Sequence, residues 1–115
     1  MGNRFVIIFV TCASRKEAEK IVGTLLKKRL AACGNIVGGV ESKFWWKGKI
    51  DSAKETLLIL KTKASKFKAV EKEVKRLHSY DVPEIIAVPI VMGSKEYLNW
   101  VAKETHAAPT RSEES

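Results

Sequence analysis

This sequence is poor in the residues and patterns from which most catalytic, redox and membrane proteins are built. Its two cysteines, Cys12 and Cys33, stand 21 positions apart without a CxxC or a matching Cys/His pair, which excludes the common zinc and thiol–disulfide motifs and predicts two reduced, buried thiols. The longest apolar run, Phe5 to Val10, falls far short of the ~20 residues that cross a bilayer, and no small-residue cleavage site follows it. The expected protein is therefore cytoplasmic, with no membrane partner. P-loop, GxGxxG, paired-acid and Ser/His/Asp patterns are all missing, so no catalytic residues and no enzyme are expected. Cys12, between a strand and a helix, is the one side chain with a route to a lowered thiol pKa.

Acidic residues are also scarce. The 21 Lys and Arg outnumber the 13 Asp and Glu among 115 residues, a net charge of +8 that raises the question of nucleic acid. The cations are scattered, as Arg15/Lys16, Lys27/Lys28/Arg29, Lys61/Lys63, Lys66/Lys68 and Lys72/Lys75/Arg76, mostly on outward helix faces. With no RRM, KH or helix-turn-helix signature, they read as solvated faces, and no nucleic-acid partner is expected.

What is present is a regular alternation of periods. The composition, 45% hydrophobic and 30% charged, is that of one globular domain, placed at residues 1–106 with a flexible tail at 107–115. Phe5–Val10 reads as a strand buried on both faces. Ser14 with Glu17 forms a capping box for a helix whose apolar positions include Ala18, Ile21, Val22 and Leu25, with Gly34 as its stop. From Asn35 to Ile50 the period becomes two, placing Ile36, Gly38, Val40, Ser42, Phe44 and Trp46 on one face of a long strand that Gly38-Gly39 should bend or bulge. Lys47-Gly48-Lys49 is a turn, and Glu55–Thr62 completes a hairpin.

Ser65 is expected to cap a second helix with a narrow stripe of Phe67, Val70, Val74 and Leu77, and Pro83 confines His78–Val82 to a loop. Glu84–Val91 is a strand that Pro89 assigns to a sheet edge, and Gly93-Ser94 opens a last helix with Tyr97, Leu98 and Val101 inward. The order βαββαβ gives an α+β, ferredoxin-like antiparallel sheet with an extra C-terminal helix, strands one and three central. Both crossover helices cover one face of such a sheet. The other face is apolar too, as is the Trp45-Trp46 edge, so copies of the chain are expected to pair, with a homotrimer as the leading state.

Specific residues then carry a resemblance. Asn35-Ile36-Val37, Phe44-Trp45-Trp46-Lys47-Gly48-Lys49-Ile50, Glu55, Ile59-Leu60-Lys61-Thr62, His78-Ser79-Tyr80-Asp81-Val82-Pro83-Glu84-Ile85 and Tyr97-Leu98-Asn99-Trp100 resemble, in order and spacing, the CutA divalent-cation tolerance family. The resemblance implies a trimer of ferredoxin-like subunits, similar in architecture to PII-type signalling proteins, linked to tolerance of copper and other divalent ions. Some members are proposed to bind copper through a cysteine ending the first strand and two adjacent histidines; the matching positions here are Val10, Leu77 and His78. Cys12, two residues beyond Val10, would stand in for the missing cysteine, making Cys12 and His78 the candidate Cu2+ ligands, while the plainer role for His78 is a hydrogen-bonding loop residue.

The resemblance also marks Ser42, Trp46, Glu55, Lys61, Tyr97 and Trp100 as ligand-binding or interface residues. Glu55 and Lys61, on neighbouring strands beside these aromatics at a subunit boundary, would form a concave pocket tolerant of a small anion, while the plainer roles are packing for Trp45, Trp46 and Trp100 and an interface ion pair for Glu55 with Lys61. A PII-like nucleotide sensor and a purely structural trimeric scaffold are the alternative functions.

Overall fold

The computed structural model describes residues 4–106. Its elements run β1 (Phe5–Cys12), α1 (Arg15–Lys27), β2 (Cys33–Trp46), β3 (Lys49–Lys63), a 3-10 turn (Ala64–Lys66), α2 (Phe67–Leu77), β4 (Ile85–Pro89) and α3 (Lys95–Glu104). The sheet order is β2-β3-β1-β4 with every neighbouring pair antiparallel, which is the ferredoxin-like arrangement. As expected, the two most apolar strands are central and Pro89, which has no N–H to give a ladder, ends an edge strand. The tail at 107–115 lies outside the described residues.

Alternation along the central strands sorts their side chains. Val6, Ile8, Val10 and Cys12 of β1 pair across to Thr62, Leu60, Leu58 and Thr56 of β3, and this face packs against Ala18, Ile21 and Leu25 of α1 and Val70 and Val74 of α2. All of these apolar side chains are buried. The residues between them, Ile7 and Phe9 opposite Lys61 and Ile59, point away from both helices and are only half-buried. Burial on both faces of the first strand is thus corrected: one face is sealed, and the other is covered only in part. Beyond it β4 adds Ile86 and Val88, exposed at 50% and 40%.

Helix α1 begins as its sequence dictates but ends elsewhere. Ser14 Oγ accepts from the Glu17 N–H at 3.1 Å, while the Glu17 carboxylate takes the Ala13 N–H at 3.0 Å. The stop is not Gly34 but Arg29, at φ 60, where the Leu30 N–H reaches the Leu25 carbonyl (2.9 Å) and the Arg29 N–H the Leu26 carbonyl (3.1 Å). This is a Schellman closure with arginine in the left-handed position, where glycine is usual. The Arg29 guanidinium is then aimed at α3, donating to Glu104 Oε1 at 2.7 Å. Gly34 instead lies inside β2, where a Cβ would come within 2.3 Å of Val22 Cγ2, so its role is close passage of strand under helix.

The bulge expected at Gly38-Gly39 is present: pairing jumps from Val37↔Leu57 to Val40↔Glu55, with Gly39 at φ 73. It changes the face assignment made from simple alternation. One extra residue puts Val40, Ser42, Phe44 and Trp46 on the face of Val37, away from the helices, while Ile36 stays on the helix side. The hairpin closes through Lys47 and Gly48, both at positive φ (51 and 80), a two-residue turn of the type that matches strand twist.

Two smaller expectations are corrected. Ser65 does not cap α2; a 3-10 turn precedes the helix and neither start carries a side-chain cap. On α3, Ser94 does cap by accepting from the Tyr97 N–H at 3.1 Å, and Val101 is buried, but Tyr97 stays 40% exposed. Helix amphipathicity set by Val101 turns Tyr97 toward the sheet's uncovered face, where it lies near Cys33 and its phenol is raised by burial first and then by Cys33.

Candidate functional site

The structure gathers the candidate residues into three places. At the junction of β1, α1 and the 78–82 loop, donor atoms of Cys12, Glu17 and His78 lie within 4.8 Å of one another. Sequence reasoning named Cys12 and His78 but gave Glu17 only its capping role; its second role follows from β1 ending beside the loop. Each group here is already committed. His78 Nδ1 accepts the Tyr80 N–H at 3.1 Å, which places the ring proton on Nε2, and Nε2 donates to the Thr11 carbonyl at 2.8 Å. The Glu17 oxygens take the Ala13 and Ser79 N–H groups, both at 3.0 Å. Burial pushes the Glu17 carboxyl up, but these bonds and the nearby His78 outweigh it and hold the carboxyl below its usual range.

Cys12 runs against the expectation of a reactive thiol. Burial, reinforced by the charges of Glu17 and Glu55, pushes it up to about 12, so the thiol stays protonated at neutral pH. A soft divalent cation binds thiolate and imidazole lone pairs. With both His78 nitrogens engaged, this donor set would have to release the Tyr80 N–H or the Thr11 carbonyl, and the thiol its proton, before it could hold a metal.

The second place is an open cleft of about 820 Å³ on the face away from the helices, between the hairpin and the 80–84 loop. Glu55 is at its centre: Ser42 Oγ donates to one carboxylate oxygen at 2.6 Å and the Tyr80 hydroxyl to the other at 2.8 Å. Burial, then donation to Glu55 and its charge, raise the Tyr80 phenol to about 12. Trp46 and Phe44 supply aromatic walls, and Asp51, Glu84 and Lys43 the remaining charge. Ser42, Trp46 and Glu55 thus come together as the resemblance implied, through the bulge that put them on one face. Tyr80 was missed as a site residue. It joins the cleft to the first cluster, since its N–H holds His78 while its hydroxyl holds Glu55.

Lys61, Tyr97 and Trp100 are elsewhere. Lys61 lies six positions from Glu55 on the same strand, roughly 20 Å away at ~3.3 Å per residue, and donates to the Asn35 side chain. Within one chain Glu55 and Lys61 are on the same strand, not on neighbouring strands, and do not share a pocket: the cleft has three carboxylates and one lysine, Lys43, among its charged lining. Tyr97 and Trp100 stack on each other with ring centroids 5.7 Å apart at the far end of the same face, where Cys33 pairs with Lys61.

A four-stranded ferredoxin-like sheet with a third helix, a carboxylate-centred cleft and a sealed Cys/Glu/His junction defines an α+β protein of the ferredoxin-like class. The profile of the CutA1 divalent ion tolerance protein family matches residues 6–104. This chain belongs to that family. It is 50% identical over 94 residues to a divalent-cation tolerance protein CutA of Archaeoglobus fulgidus, covering 82% of this chain and 91% of that protein. With the rice protein CutA 1, chloroplastic, it shares 42% over 100 residues, 87% of this chain but only 56% of the rice protein, so it spans about half the length of that relative. Solved structures agree: the A. fulgidus protein, described as periplasmic, superposes with TM-score 0.87 at 46% identity over 89% of this chain and 99% of that one. CutA1 from Oryza sativa gives 0.88 at 39% identity, covering 93% and 98%. Among the described residues no helix is long and apolar enough to cross a membrane.

Proposed function

We propose that this chain works as a homotrimer in the cellular response to divalent cations, copper among them, and that the Glu55 cleft is where its ligand is read. One observation carries the reading: the sheet face that α1 and α2 leave bare presents Ile7, Phe9, Ile59, Ile86 and Val88 in one continuous apolar surface, and the cleft opens on that same face. A lone chain gains nothing from keeping such a surface wet. Three copies closing it by cyclic symmetry would bury it and place a neighbour beside each cleft.

Within the cleft, three carboxylates and aromatic walls favour a cation or a hydrogen-bond donor over an anion. The Cys12/His78 pair, with its lone pairs and thiol committed, does not serve as the copper site in this reading, so the ion acts on the trimer elsewhere. Two unpaired cysteines, one fully buried, support a reducing, cytoplasmic setting.

Sedimentation velocity at low micromolar concentration should give three chains per particle, and Ile86→Lys should dissociate it. A cell lacking its own family member should regain copper tolerance with the wild-type chain but not with Ile86→Lys. A monomeric wild type, or rescue by the dissociated variant, would overturn the proposal. Copper titration calorimetry on the Cys12→Ala/His78→Ala variant should match wild type; loss of copper binding would restore that pair as ligands.

A further inference from the structure

A group of three basic residues lies far from both clusters, where β1 starts and β3 ends. Lys63 closes β3 opposite Phe5, and the Ala64 N–H donates to the Arg4 carbonyl at 2.8 Å, so Arg4 is tied beside Lys63. Arg4 is exposed, with its guanidinium 5.4 Å from the centre of the Phe5 ring. Lys66 ends the 3-10 turn that begins just after Lys63. Lys63 and Lys66 are both half-buried.

These three cations lack counter-charges. Among the described residues, Lys75 pairs with Glu71 at 3.2 Å and Arg76 with Glu73 at 2.7 Å on α2, Lys68 and Lys72 are left unpaired, and no ion pair includes Arg4, Lys63 or Lys66. Their mutual repulsion is felt: burial first, then the charges of Lys66 and Arg4, hold the Lys63 ammonium below its usual range. A folded chain that keeps like charges together without a partner carries a local cost, and such costs mark binding sites more often than packing sites.

We infer that Arg4, Lys63 and Lys66 form a docking site for a short linear oligophosphate. Three neighbouring cations match an anion that carries several charges better than one that carries a single charge. Lysine supplies point charges and arginine a planar fork for such oxygens. The patch is too short to follow a nucleic-acid backbone, whose affinity comes from many successive phosphate contacts. This site is separate from the Glu55 cleft and does not depend on the reading given to that cleft.

The test uses the full chain, inorganic tripolyphosphate as probe, and titration calorimetry at constant ionic strength with sulfate as the balancing salt. Wild type should bind one tripolyphosphate per chain. Lys63→Gln/Lys66→Gln should weaken it by at least about tenfold, while Lys27→Gln/Lys72→Gln, which removes the same charge from exposed and unpaired helix positions, should not. Without ligand, Lys63→Gln/Lys66→Gln should melt at or above the wild-type temperature because repulsion is relieved, which separates a lost site from a lost fold. Equal weakening by both double variants would reduce the effect to net charge and overturn the site, as would absence of wild-type binding. A single-stranded RNA that binds more tightly than tripolyphosphate through the same lysines would overturn the assignment in favour of nucleic acid.

Discussion

The two faces of the central strands are built from nearly the same residues yet end in opposite states. Leu58 and Ile59 are adjacent on β3; Leu58 is fully buried under the helices, while Ile59 turns to the face that this chain leaves partly open. The difference teaches that apolar content fixes only that burial is wanted, and that the crossover connections decide which face the chain itself can cover. Right-handed crossovers put both helices on one side. The other side is left for another chain or a ligand.

The largest expected effect tests the sealed face. Leu58→Ala should cost about 3 kcal/mol through lost burial and an unfilled cavity, read as a drop in urea midpoint relative to wild type that is the same at every protein concentration. Ile59→Ala should instead cost an amount that grows as the protein is concentrated, because its burial comes with assembly. If both losses were independent of concentration, the contrast between the faces would fail. Gly34→Ala comes next, at about 2 kcal/mol, since the new methyl must displace Val22 against a packed helix; thermal unfolding that matches wild type would show the strand-to-helix contact to be soft.

A pH profile sharpens the same contrast. The Cys12 thiol is raised in the folded state from 9.0 to about 12, and the Tyr80 phenol from 10.0 to about 12. Both are acids whose neutral form the fold prefers. Their contribution is fully present below pH 9, where the unfolded groups also keep their protons, and is lost as pH climbs toward about 12. Glu17 has the opposite sign: its lowered carboxyl stabilises above the ordinary carboxylate range and is lost as pH falls through its folded value. Cys12→Ala should flatten part of the alkaline decline in melting temperature, and an unchanged decline would show that the sealed face does not hold the thiol neutral. The smallest effect belongs to the open face: Ser42→Ala removes one of the two donors to the half-exposed Glu55 and should cost about 1 kcal/mol in chemical unfolding, with Glu55 still held by Tyr80.

Much of the fold was legible because it is written locally. The Ser14/Glu17 and Ser94 caps, the bulge at Gly38-Gly39, the Lys47-Gly48 turn and the edge position of Pro89 each depend on a few neighbouring residues, and each is where the pattern puts it. The exceptions have local causes that the pattern hides. Arg29 takes a left-handed conformation that composition does not signal, and Gly34, read as a helix stop, is kept small by a helix that passes over it.

The candidate site was legible only in part. Ser42, Trp46 and Glu55 were found, like Cys12 with His78, because the resemblance pointed there; the strand period alone, with the bulge uncounted, assigns Ser42 and Trp46 to the wrong face. Lys61 was wrongly joined to Glu55, since distance along an extended strand adds up quickly, and Tyr80 was passed over because its importance comes from two bonds to residues far away in sequence.

By itself the sequence determined the periods, caps and turns, and with them the order of strands and helices, because those depend on side chains within a few positions of each other. Only the tertiary structure decided which groups meet: that Thr11 and Tyr80 saturate His78, that burial leaves Cys12 a protonated thiol, and that one apolar face stays open. Those outcomes depend on solvent exclusion and on contacts between distant segments, which no stretch of sequence holds alone.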